Sequence, residues 1–189
     1  MNEIEIKVKE LVRFVTLQGI KEHTQNEDII INEVAGVDHH QMLAPWMGLI
    51  LISGPSIRIT MKCHYLSENG KFFAQKSLGK KISEISFSQV QDYIKEYCNL
   101  CAGKIKKIFA DNNLDIGISL PLAVRGFDEL FFYDKNTRNA PGYCQDYWSL
   151  ITEDKFLLLS SIIEIYNEDD MNKINIDFNT ASSGEIDFL

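Results

Sequence analysis

Asp92, Glu96, Asn99 and Gly103 have types and spacing that could do chemistry on a second molecule, recurring at intervals of four, three and four residues. On a helix of 3.6 residues per turn they share one face. Val90, Ile94, Tyr97, Cys101, Ile105 and Ile108, spaced 4-3-4-4-3, form an apolar stripe roughly 165° around the same helix. The stripe faces a core, so the acids, the amide and the glycine point outward. Such a row could be no more than a solvated surface. It also suits docking, because Ala102 and Gly103 leave one end bare while Glu96 and Asn99 reach out at the other. No nucleophile with an activating base lies nearby in sequence, which leaves acyl transfer by a triad without support. An amide does something narrower: its oxygen accepts a hydrogen bond from water and its NH2 donates one to a phosphoryl oxygen. Phosphoryl transfer asks for little beyond such positioning and charge stabilisation.

The stretch from Ser88 to Gly126 resembles the CheX/CheC-type chemotaxis phosphatases. Their signature is an Asp or Ser, three residues, a Glu, two residues, an Asn, and a proline further on. Here these are Asp92, Glu96, Asn99 and Pro121, the last inside SLPLAVRG. NLCAGK resembles the family's Asn-x-x-x-Gly turn of helix, and ISLP followed by Gly126 resembles its next strand. The resemblance implies a phosphatase acting on the aspartyl phosphate of a phosphorylated, CheY-like response regulator. Asn99 would orient the attacking water and Glu96 would pair with a lysine of the regulator. Asp92 and Gly103 would belong to the partner-binding face, Asp92 chiefly supporting the N-terminal half of the helix, and Pro121 would be structural. The regulator would supply the phosphate and its Mg2+, leaving this chain with no cofactor of its own. The resemblance further implies an α+β fold, a largely antiparallel sheet layered with long helices, and a homodimer. The rival from another class is a non-catalytic binding module that sequesters a regulator or serves in a flagellar or signalling assembly.

Two other constellations have blander readings. Cys98 and Cys101 form a C-x-x-C, but one lies in the core stripe and the other on its border, with no second pair at zinc spacing. Both are expected to be small buried hydrophobes. His39 and His40 would point to opposite faces of a strand and could converge with His23 and His64 on a metal only from a loop, so a metal site is not the expected reading. Trp46 and Trp148 are expected in the core.

The elements around the motif follow from patterning. Ile4, Val8, Leu11, Val12 and Val15 make a first helical stripe, with Gly19 placed to end it. A short strand is expected at Ile29–Ile31 and a strand pair around Gly54-Pro55. A short helix follows over Phe72–Leu78. The central helix should start near Ser86 or Ser88, either a good cap, and break at about Asn112-Asn113. Beyond ISLP come apolar, β-rich stretches at Phe127–Tyr133, Tyr143–Ile151 and Lys155–Tyr166. Residues 1–166 are thus expected to form one domain of α+β layers, and 167–189 an acidic tail.

The composition bounds the class. With 189 residues, 45% of them hydrophobic, the chain can bury a core. A net charge of −8 argues against a nucleic-acid partner, which needs a basic footprint. The four cysteines have no regular spacing and make no disulfide framework. The start, MNEIEIKVKE, has no apolar signal region. The longest uncharged run, Gln41–Ile57, is broken by Pro45, Gly48, Gly54 and Pro55, so no membrane insertion is expected. Together these predict a cytoplasmic protein.

The chain ends SGEIDFL. An acidic tail closing on apolar residues resembles the acidic-aliphatic peptide with which flagellar switch proteins capture the phosphorylated chemotaxis regulator. On a helix, Ile186 and Leu189 would share a face at i, i+3 with Glu185 and Asp187 beside them. A final strand or a patch docked on its own domain is the other reading.

Overall fold

The computed structural model describes residues 2–34, 44–126 and 142–175. Its elements run α1 (Glu3–Thr24), β1 (Ile30–Glu33), β2 (Trp46–Ser53), β3 (Ile57–Tyr65), α2 (Ser67–Leu78), a 3-10 turn (Ile82–Glu84), α3 (Phe87–Asp111), β4 (Gly117–Ile118), β5 (Leu122–Arg125), β6 (Gly142–Thr152), β7 (Lys155–Ile165) and α4 (Glu168–Asn172). The seven strands make one sheet in the order β1-β6-β7-β3-β2-β4, with β5 also pairing β2. Every pairing is antiparallel. The expected α+β class is the one observed.

Register places the core. Gly48, Cys63, Leu159 and Trp148 stand side by side across β2, β3, β7 and β6. Because side chains alternate along a strand, this row and its i±2 neighbours Ile50, Met61, Leu157 and Leu150 define one face, and all these neighbours are fully buried. The three long helices touch one another and cover that face, α3 over β2 and β3, α1 over β6 and β7.

Polar contacts fix α1 between the sheet and α3. The Trp148 Nε1–H donates to the Thr16 hydroxyl (3.2 Å), and the Tyr97 hydroxyl on α3 donates to the Thr16 carbonyl (2.9 Å). Arg13 donates twice to buried Asp146 on β6, at 2.6 and 2.7 Å, a bidentate geometry that also fixes orientation. Lys9 adds a second cation at 3.2 Å.

Several boundaries differ from the patterning, each for a physical reason. Gly19 does not end α1, which runs on to Thr24 and closes with Gln25 in the left-handed region (φ 51°). A Cβ at Gly19 would lie 3.0 Å from the Cys101 Sγ, so this glycine serves helix approach instead. α2 begins at Ser67, five residues ahead of expectation, without a side-chain cap. Residues 167–175 do not leave the body: Met171 and Ile174 are buried, Asp170 accepts from the Ser56 hydroxyl (2.7 Å), and Lys7 donates to the Ile174 carbonyl. The stretch expected at Phe127–Tyr133, His39, His40 and the end of the tail with Glu185, Ile186 and Leu189 lie outside the described residues. Among the described residues no helix is long and apolar enough to cross a membrane.

Candidate functional site

The motif sits on α3. Ser86 caps this helix: its hydroxyl accepts from the Gln89 N–H (3.2 Å) and the Gln89 side chain accepts from the Ser86 N–H (3.0 Å). This reciprocal box satisfies two orphan donors of the first turn. At the other end the Asn112 side chain donates to the Ile108 carbonyl (2.8 Å). Between these ends Val90, Ile94, Tyr97, Cys101 and Ile105 are buried as expected, joined by Tyr93, Cys98, Ala102 and Phe109. Ile108 is only half-buried; the anchor of the last turn is Phe109, which the chosen spacing missed.

Opposite this stripe, Asp92, Glu96 and Asn99 are exposed and Gly103 is partly so, the outward face the spacing predicts. Asn99 has no hydrogen-bond partner among the described residues, leaving both ends of its amide open. A Cβ added at Gly103 would meet nothing within 4 Å. A glycine inside a helix costs about 1 kcal/mol relative to alanine, and no internal contact of the described protein requires this one. Ala102 is fully buried, so it belongs to the core and not to the bare end of the face.

Asp92 differs from its expected role. It lies beyond the first turn, where the helix dipole has largely faded, and its carboxylate is paired with Lys95 at 2.7 Å. Lys104, next to the glycine, is drawn across to Glu22 on α1 and leaves the face. Glu96 is therefore the motif carboxylate without an ion-pair partner on its own helix, although its charge is felt by His23 of α1.

The remaining candidates resolve as packing. All four cysteines are free and buried. Burial pushes the Cys98 thiol well up and the Cys101 thiol up to about 12; Tyr97 and Lys104 oppose the rise at Cys101 and Glu22 adds to it. His64 is buried on the other face of β3 with Nε2 3.1 Å from the Ser160 hydroxyl, and His23 stacks on Tyr93. Among the described residues no cluster of three metal-ligating side chains occurs. Trp148 is fully buried, whereas Trp46 is half-buried, tilted against Phe87 at 4.4 Å with Arg125 over its ring. Pro121 lies in the link between β4 and β5.

No family model matches this sequence, and no curated protein does. Solved structures do. A CheC-like superfamily protein from Shewanella sp. PV-4 superposes with a TM-score of 0.60 at 17% identity, over 87% of this chain and 99% of that one. The CheX of a CheX–CheY–BeF3–Mg2+ complex from Borrelia burgdorferi gives 0.61 at 12% identity, over 84% and 97%. Chemotaxis protein CheX from Vibrio vulnificus gives 0.59 at 16% identity, over 87% and 100%. With an antiparallel sheet under three packed helices and an exposed Glu96–Asn99 ridge on the central one, the chain has the fold of the CheX/CheC-like chemotaxis proteins.

Proposed function

We propose that this protein is an aspartyl-phosphate phosphatase for a phosphorylated CheY-like response regulator, docking through the exposed face of α3. The observation that carries the reading is the state of that face: Asn99 is exposed and unengaged one turn beyond an exposed Glu96, on a capped helix seated on the core. The likeness to a CheX seen with CheY supports it. On docking, Glu96 meets a lysine of the regulator. The Asn99 oxygen accepts from a water and its NH2 donates to a phosphoryl oxygen, which holds the water in line. Mg2+ is the regulator's, and it offsets charge on the phosphoryl group there. Asp92, tied to Lys95, shapes the rim of the face, and the bare Gly103 lets the partner's backbone come close. The protein acts in the cytoplasm, as a homodimer.

The test follows radiolabelled phosphate on purified regulators of the chemotaxis type, with and without this protein. Faster loss of label is expected for at least one regulator. Binding without faster loss would instead identify a non-catalytic binding module.

A further inference from the structure

The face on α3 has a neighbour on α1. His23, in the last turn of α1, stacks on Tyr93 with ring centroids 5.1 Å apart and planes at 8°. Tyr93 is nearly fully buried and holds the imidazole in place. Glu96 lies three residues beyond Tyr93, on the same side of α3. The His23 Nδ1 is buried without a hydrogen-bond partner among the described residues.

Other charges near His23 are already answered. Glu22 is held by Lys104 of α3 and Lys21 by Glu27. The Thr24 hydroxyl donates to the Ile20 carbonyl (2.7 Å), and burial keeps the Tyr93 phenol neutral by raising its pKa far above the ordinary value. Burial lowers the imidazole pKa, and the Glu96 carboxylate opposes that. The ring is therefore neutral near pH 7 and charges as the solution becomes acidic.

We propose that His23 is a positioning residue for Glu96: a protonated His23 draws the Glu96 carboxylate toward α1 and competes with the cation of a docking partner, and a neutral His23 releases it. The proposal rests on the reading of Glu96 as the partner-binding carboxylate. It makes docking, not the chemistry at Asn99, sensitive to pH.

Two measurements test it. First, the His23 side chain is titrated by NMR in the native protein and in Glu96→Gln; a lower midpoint in the variant is expected, and an unchanged one overturns the proposal. Second, binding of a CheY-type regulator loaded with beryllofluoride and Mg2+ is measured from about pH 7.5 down through the His23 midpoint that the titration gives, which lies on the acid side of an ordinary histidine. Native affinity is expected to fall about two- to fivefold more than that of His23→Phe, the scale of a surface ion pair. Phe keeps the stack on Tyr93, and His23→Gln serves as a second variant lacking the charge. In turnover assays the same difference should sit in KM and not in kcat. Equal pH slopes in all three proteins, with binding intact, overturn the role of His23 alone; a regulator that binds at no pH overturns the functional reading beneath it.

Discussion

Gly48 on β2 lies directly beneath Ile94 on α3: a Cβ at Gly48 would come within 2.5 Å of the Ile94 Cγ2 and 3.3 Å of the Cys98 Sγ. The helix that carries Glu96 and Asn99 thus rests on bare backbone. That contact sets how far the face stands from the sheet. Ile94 is β-branched and fully buried, so its methyl has few rotamers into which to retreat. Gly48→Ala is expected to destabilise the protein by about 1–3 kcal/mol, the usual cost of overpacking, read as a lower denaturation midpoint at unchanged m-value. A neutral substitution would mean that α3 is not seated on β2 as described.

Gly103 is the opposite case. An added methyl would have nothing within 4 Å of it, so Gly103→Ala should stabilise the fold by up to about 1 kcal/mol through helix propensity. The same methyl stands at the bare end of the docking face and should weaken regulator binding. Thermal unfolding and a binding titration on one variant separate the two effects. A loss of stability would show that the glycine serves the protein's own packing.

Asn99→Ala should abolish accelerated dephosphorylation while regulator binding persists, because the amide acts mainly in the transition state. Glu96→Ala should weaken binding as well, since it leaves a partner cation poorly compensated. Both residues are exposed, so neither change should alter the fold. Full activity in Asn99→Ala would remove the proposed mechanism.

Features written in local patterning were legible in the sequence. The α3 stripe, its Ser86 cap, the β2–β3 pair around Gly54-Pro55 and the two β-rich stretches that become β6 and β7 all depend on neighbours in the chain. What escaped depends on distant contacts. Gly19 looks like a stop signal until Cys101, far along the chain, is seen against it. His23 had no local signal linking it to Tyr93 and Glu96, because the stack joins two helices that are far apart in sequence. Residues 167–175 look like tail by composition, yet Met171 and Ile174 bury two apolar side chains in the body.

The buried thiols lead to a redox prediction with a definite sign. Burial raises the pKa of both Cys98 and Cys101, so at neutral pH neither carries the thiolate that oxidation and alkylation require. Labelling of the native protein should be slow and should become fast only on unfolding. Replacing both by alanine should cost stability through cavity formation, about 1–3 kcal/mol in total, with turnover and its response to reductant unchanged. Activity that depends on reductant in the native protein, and loses that dependence in the double variant, would count against a packing role.

The final prediction concerns the chain end, SGEIDFL. Glu185, Ile186 and Leu189 are proposed to bind the regulator as a short helix, the two apolar side chains on one face and the acids beside them. The described residues stay on the body as far as Asn175, whose N–H donates to the Asn112 side chain (2.8 Å), so the peptide would be joined to a body that already carries the Asn99 face. A second contact on a linker raises the effective concentration of regulator at that face without touching the chemistry. Deleting residues 180–189 should therefore raise the concentration of phosphorylated regulator needed for half-maximal rate and leave the rate at saturation nearly unchanged. Ile186→Ala with Leu189→Ala should reproduce the shift, since affinity would come from those side chains and not from chain length. Superimposable rate curves for the full-length and shortened proteins would rule out a tether, and a fall in the saturating rate would instead place the segment against its own domain.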